Sequence, residues 1–243
     1  ALADWPVLLS PRGAAVARAL SDLPRVTVGA SNQDVLDRAD IVVLAVRPQV
    51  AEAVLRPLRF RPDVPVISLV AALPVTTLRD WTGAAQICRA IPLPFVERRS
   101  GVTPVFPPLA AAMALFDAVG QAVPVEQAQE FDIYATASAL MGTYFGLVDT
   151  ARGWMTDQGI SDADATTYLR ALFADLGRSL AASDQPPAAL RLAHSTPGGL
   201  NAQLHEVFAG QGGSAAVAAG LAAVLARIRA GTDQGRRDGR GDT

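Results

Sequence analysis

Among 243 residues there is no lysine, one cysteine and two histidines. Cys88 alone excludes an intrachain disulfide, a Cys-x-x-Cys pair and a cysteine zinc cluster. His194 and His205 are too few for a histidine-rich metal site. Charge is scarce as well: 18% of residues are charged, the net charge is -2, and basic runs reach only pairs such as Arg236-Arg237. A chain so poor in clustered positive charge suits neither nucleic acid nor an anionic membrane surface. No signal peptide is expected from its opening residues. Its longest uncharged run, Val207 to Ala226, is rich in Gly, Ala and Gln. That composition fits a buried interface helix better than a membrane span. Together these absences predict a soluble, cytoplasmic protein without a metal centre.

What is present is apolar residue, half of the chain, with abundant alanine. Such a chain folds, and its length allows one large domain or two smaller ones. Val7 to Ser10 reads as a strand ending in Pro11-Arg12-Gly13, and Val26-Thr27-Val28 as a second strand. Ser31 offers an N-cap for a helix reaching Arg38. Asp40 to Val46 and Val64 to Val70 are uninterrupted apolar runs, as in parallel strands covered on both faces. Ala85 to Ala90 is a further strand, with helices at Ala14–Leu20, Gln49–Leu58 and Val75–Trp81 between the strands. This alternation predicts an open, doubly wound α/β sheet whose ligand sits at the carboxyl ends of the strands. Those ends are Ser10-Pro11-Arg12, Ala45 to Pro48, Ala71 to Pro74 and Ile91 to Pro94.

Gly101 to Val125 closes this half with Pro104, Pro107 and Pro108, a Leu109–Gly120 helix and a last short strand. After Glu126 every periodic stretch is helical: Gln127–Trp154, Asp162–Ser183 and Leu200–Ala230. The first is apolar nearly all round, through Phe131, Ile133, Tyr134, Leu140, Tyr144, Phe145 and Val148. That pattern marks a helix buried from every side, and a partner subunit is the usual way to achieve it. The expected division is therefore 1–125 (dinucleotide type), 126–230 (all-α) and a Gly/Asp/Arg-rich tail, 231–243, of disordered composition. Within the helical part, His194 to Asn201 stands out. Its Pro197-Gly198-Gly199 breaks the helix and lets backbone approach a neighbour or a ligand.

Five stretches, in order, resemble the pyrroline-5-carboxylate reductase family: Ala39 to Gln49, Ile67 to Ala72, Arg89 to Pro92, Ser138 to Gly142 and Ser195 to Gly199. The resemblance implies a Rossmann-like NAD(P)-binding domain, then an all-α domain through which subunits dimerise. It implies hydride transfer from a nicotinamide to a cyclic imine, as in proline biosynthesis. The family opens with a strand and a Gly-x-Gly-x-x-Gly/Ala turn that this sequence lacks. About twenty residues, the length of such a start, are expected to precede Ala1 in the natural protein.

By resemblance, Ser10, Pro11 and Arg12 face the adenosine ribose. A hydroxyl and an arginine there favour NADP over NAD, which usually calls for an acidic residue. Ala45, Val46, Arg47, Pro48, Ala71 and Ala72 fall on the nicotinamide side. Ser195, Gly198, Gly199 and Thr143 fall on the substrate. Asn201 stands where the family has a threonine facing the imine nitrogen, and with Thr196 it is the candidate catalytic residue.

Leu93, the Met141–Leu147 segment and His194 depart from the family pattern around the same pocket. They leave open a same-scaffold oxidoreductase acting on another imine, a hydroxy acid or a deazaflavin, and also a non-catalytic dinucleotide-binding dimer. A hydroxyacid dehydrogenase of this type needs a helical-domain lysine, which the chain lacks.

Overall fold

A computed structural model describes residues 4–238. Short β-branched runs form the strands, and the Ala/Leu-rich stretches between them form helices. The first half runs β1 Val7–Leu9, α1 Ala14–Ser21, β2 Val26–Val28, α2 Asn32–Arg38, β3 Val42–Leu44, α3 Pro48–Leu55, β4 Val66–Ser68 and α4 Val75–Thr82. It continues with β5 Ile87–Ala90, β6 Val102–Phe106, α5 Ala110–Asp117 and β7 Gln121–Pro124. α2 starts as its sequence dictates: the Ser31 hydroxyl accepts from the Asp34 amide at 3.0 Å, satisfying one orphan donor.

β1 and β2 pair in parallel, with Val7 opposite Val26. A second sheet has the order β3-β4-β5-β6-β7, parallel except between β5 and β6. β4 is its hydrophobic centre. Val66 and Ile67 are both fully buried, and successive side chains of a strand face opposite ways. Val66 packs with Leu36, Leu44, Leu55 and Leu78, and Ile67 with Val105, Ala112 and Phe116. This is the α/β Rossmann-like arrangement expected from the apolar runs.

β6 was not anticipated, because Pro104 lies inside it and proline usually excludes a central strand. The Pro104 carbonyl still joins the ladder, accepting from the Ile91 amide at 3.3 Å.

The rest of the chain is helical: α6 Ala128–Ser138, α7 Leu140–Asp157, α8 Asp162–Ala181, α9 Pro187–Ala193, α10 Leu200–Gly210 and α11 Gly213–Asp238. Two expected single helices are each divided. A tightened turn at Ala139 separates α6 from α7. Gly212, at φ +81, ends α10 by taking the left-handed conformation that glycine adopts without penalty.

α11 runs eight residues into the stretch whose composition predicted a disordered tail. Extending a formed helix costs far less than starting one, so composition alone does not stop it. Residues 239–243 of that tail lie outside the described residues.

Contacts divide the chain into two compact units. One runs to Thr136 and takes in the chain from Leu225 onward; the other is Ala137–Val224. Phe131 is buried, yet α7 buries no residue, and Phe145 is 67% exposed. The all-round burial expected of this segment is therefore not met within one chain. Tyr144 meets Phe173 of α8 edge-on at 5.4 Å. Gly213–Gly231 of α11 is long and apolar enough to cross a membrane by length and composition, with mean hydropathy 1.4 and none of it buried.

Candidate active site

In the first unit the carboxyl ends of β3 and β4 lie side by side, because the two strands are parallel neighbours. Ala45, Val46 and Arg47 leave β3, and Pro48 opens α3, where its fixed φ suits a first helical residue. Leu69 extends the ladder past β4, its amide donating to the Leu44 carbonyl at 2.9 Å. Ala71 and Ala72 follow directly. Ala72 has φ +58, a left-handed conformation that costs a residue with a Cβ about 1 kcal/mol. Such strain is held only where surrounding structure enforces it, and binding loops are where it concentrates. Ala45, Arg47, Pro48 and Ala71 are exposed, and Val46 and Ala72 half-buried. The loop pair is thus an open ledge of small side chains.

Ser10, Pro11 and Arg12 follow β1. The Ser10 hydroxyl donates to Asn32 Oδ1 at 2.6 Å, and the Arg12 amide lies 3.4 Å from the Ser10 oxygen. Asn32 is the residue that sequence reasoning passed over as part of a helix start. It belongs to this cluster because β2 runs parallel to β1, so the loops after both strands share one edge. Arg12 is exposed and makes no ion pair among the described residues. A hydroxyl, an amide side chain and an unpaired guanidinium are a donor set that fits a phosphorylated ribose. The small residues at 45, 71 and 72 fit the approach of a flat ring.

In the second unit, Ser195 and Thr196 link α9 to α10. Gly198 takes φ +71, and the Gly199 amide donates to the Thr196 carbonyl at 2.8 Å. A Cβ at Gly199 would lie 2.5 Å from Thr196 Oγ1 and 3.0 Å from the Thr196 carbonyl oxygen, so a side chain there would crowd Thr196. Asn201 reaches back across it, Nδ2 donating to the His194 carbonyl at 2.6 Å. His194 Nδ1 lies 2.8 Å from the Leu190 carbonyl, a contact that suits the Nδ1–H tautomer. The outcome is a hydrogen-bonded polar turn that opens α10, whose first amides are unpaired as at any helix start. Ser195 and Gly199 are half-buried; Thr196, Gly198 and Asn201 are exposed. Thr143 lies on α7 and lines an apolar groove of about 250 Å³ with Leu140, Val217, Gly220 and Leu221. Among the described residues no group of three His, Cys, Asp or Glu has the spacing to hold a metal ion.

Residues 7–72 match the family described as NADP oxidoreductase, coenzyme F420-dependent. The chain is 28% identical over 211 residues to pyrroline-5-carboxylate reductase of Pseudomonas aeruginosa, covering 81% of this chain and 76% of that protein. In fold it resembles 1-pyrroline-5-carboxylate reductase from Streptococcus pyogenes (TM-score 0.81, 19% identity, 93% of this chain and 89% of that one). It likewise resembles Plasmodium falciparum pyrroline carboxylate reductase, solved with NADP bound (TM-score 0.78, 17% identity, 94% and 99%). In sequence the chain is thus similar to pyrroline-5-carboxylate reductase and, over residues 7–72, to the coenzyme F420-dependent NADP oxidoreductase family, and its fold is that of the pyrroline-5-carboxylate reductase structures.

Proposed function

We propose that this protein is an NADPH-dependent reductase of a cyclic imine bearing a carboxylate, of the pyrroline-5-carboxylate type. The observation that carries the reading is the Ser195–Asn201 turn. It is a backbone-donor site at a helix start with no carboxylate in it, and its one imidazole is tied to Leu190. Such a site suits a substrate that needs an anion held and little acid catalysis. When bound, the nicotinamide supplies the hydride. The protonated imine carries its own proton, so the C=N electron pair collapses onto nitrogen as carbon receives the hydride, and no side chain has to deliver a proton. Gly198 and the first amides of α10 hold the carboxylate. Thr196 and Asn201 flank the imine, and Ser195 and Thr143 complete the substrate contacts. Ser10 and Arg12, with Pro11 shaping their turn, take the 2′-phosphate, so NADP is preferred to NAD. Ala45 to Pro48 and Ala71-Ala72 accept the nicotinamide ribose and ring.

The same reading assigns residues 126–230 to substrate binding and homodimerisation, in a cytoplasmic protein. Support comes from exposed apolar side chains on α7 and α10, with Phe145 at 67% and Leu204 at 73%.

The test is a substrate panel of cyclic imines and keto acids with NADPH and with NADH. Consumption of NADPH with pyrroline-5-carboxylate, faster than of NADH, is expected. No turnover with any imine sinks the proposal. The description of the matching family favours one alternative, a deazaflavin as redox partner. Absorbance change of a deazaflavin on mixing with NADPH, with no imine turnover, selects it.

A further inference from the structure

The ribose end of the candidate cofactor site is held from behind by side chains that the mechanism does not use. Asn32 is the first residue of α2, and its Oδ1 accepts from the Ser10 hydroxyl at 2.6 Å. The turn leading into α2 is tied to the helix. The Asp34 carboxylate accepts from the Ala30 amide at 2.9 Å, and the Ser31 hydroxyl accepts from the Asp34 amide at 3.0 Å. Where α2 sits therefore sets where Asn32 meets Ser10.

Packing fixes α2 only weakly. It has 7 residues, too few for a helix that is stable alone, and Leu36 is its one buried side chain. Leu36 lies in the core with Leu44, Leu55 and Val66. One leucine holds a helix on a sheet but leaves it free to slide along its axis. Among the described residues no ladder joins β1 and β2 to the five-stranded sheet. Polar contacts supply the rest, and they come from the connection between α3 and β4. The Gln33 side-chain amide pairs with the Arg59 backbone both ways, Nε2 donating to its carbonyl at 3.0 Å and Oε1 accepting from its amide at 2.9 Å. At the other end of the helix, Arg61 Nη1 donates to the Asp37 carbonyl at 3.1 Å and Nη2 to the Ala39 carbonyl at 2.7 Å. Carbonyls at a helix end lack partners within it, and a cation suits that end of the dipole. Arg61 Nε is buried without a partner, so the guanidinium meets these two carbonyls at a desolvation cost. A two-point contact at each end fixes α2 both along its axis and about it.

We propose that Gln33 and Arg61 are positioning residues for the phosphorylated ribose: their clip onto residues 59–61 fixes α2, and through Asn32 it fixes the Ser10 hydroxyl that meets the 2′-phosphate. This role rests on the assignment of Ser10 and Arg12 to that phosphate.

The test measures dissociation constants of NADPH and NADH by titration calorimetry for wild type, Arg61→Met, Gln33→Met and Thr82→Val. Thr82→Val is the stability control, since it removes a buried hydroxyl bonded to Leu78 and Ala84 at the end of α4 and touches no part of the clip. All three variants should lower the melting temperature. Arg61→Met and Gln33→Met should also weaken NADPH binding about tenfold, the loss of one hydrogen bond to a charged group, while NADH stays within about twofold. Amide exchange across α2 should quicken in both. Thr82→Val should keep both affinities at wild type. Wild-type NADPH affinity in the clip variants would overturn the proposal, and so would equal weakening of NADPH and NADH. Should Arg61→Met not fold, Gln33→Met, which leaves Arg61 in place, decides on the same terms. Wild type that binds NADPH no better than NADH defeats the 2′-phosphate assignment itself, and this role with it, before any variant is compared.

Discussion

At the residue scale, Cys88 shows how placement cancels chemistry. It lies fully buried on β5, and burial pushes its thiol up to about 12. The thiolate is the reactive form, so the folded protein should resist thiol reagents at pH 8, and labelling should track unfolding. The raised value also fixes a direction for stability. Below pH 9 the thiol is neutral in both states. From about pH 9 to 12 only the unfolded chain ionises, so the contribution of Cys88 is lost as pH rises through that window. Denaturation midpoints of wild type and Cys88→Ala should therefore converge between pH 8 and about 10.5. Parallel pH profiles would contradict the burial. Asn32 teaches the reverse lesson. Nothing in its sequence neighbourhood sets it apart from a helix start. It reaches Ser10 only because two parallel strands bring their ends together.

The element that matters most is the turn between α9 and α10. Pro197-Gly198-Gly199 marks it in the sequence as a break; Gly198 takes a positive φ, and Gly199 lies close against Thr196. Gly199→Ala should open the turn. Turnover should drop about a hundredfold, the scale of misplacing a substrate by about 1 Å, with NADPH binding unchanged. Asn201→Ala removes the clamp on the His194 carbonyl. Turnover should fall about tenfold, equal to about 1.4 kcal/mol, again with little change in NADPH affinity. Full activity in both variants would remove the turn from the site. The hydrogen bond from Asn201 was not foreseeable, since the sequence says only that an amide replaces a threonine. Its reach back over seven residues depends on the turn's curvature.

Within the second unit α7 and α10 present large apolar side chains to solvent, with Phe145 67% and Leu204 73% exposed. Obligate homodimers bury about 2,000–5,000 Å² in total, much of it apolar, and these helix faces are where a partner copy is predicted to sit. Sedimentation should find a dimer at micromolar concentration, and Phe145→Glu with Leu204→Glu should drive it to monomer. A monomeric wild type would refute the dimer. At this scale the sequence by itself determined the alternation of strand and helix in the first half and the helical second half. Those follow from local period and composition, which each segment carries wherever it sits. Tertiary structure decided the rest. It paired β5 with a proline-bearing β6, brought Asn32 to Ser10, set Arg89 against Asp132, and left α7 uncovered within one chain. These are contacts between residues far apart in sequence, made by strand order and by which face of each helix finds a neighbour, and no local pattern encodes them.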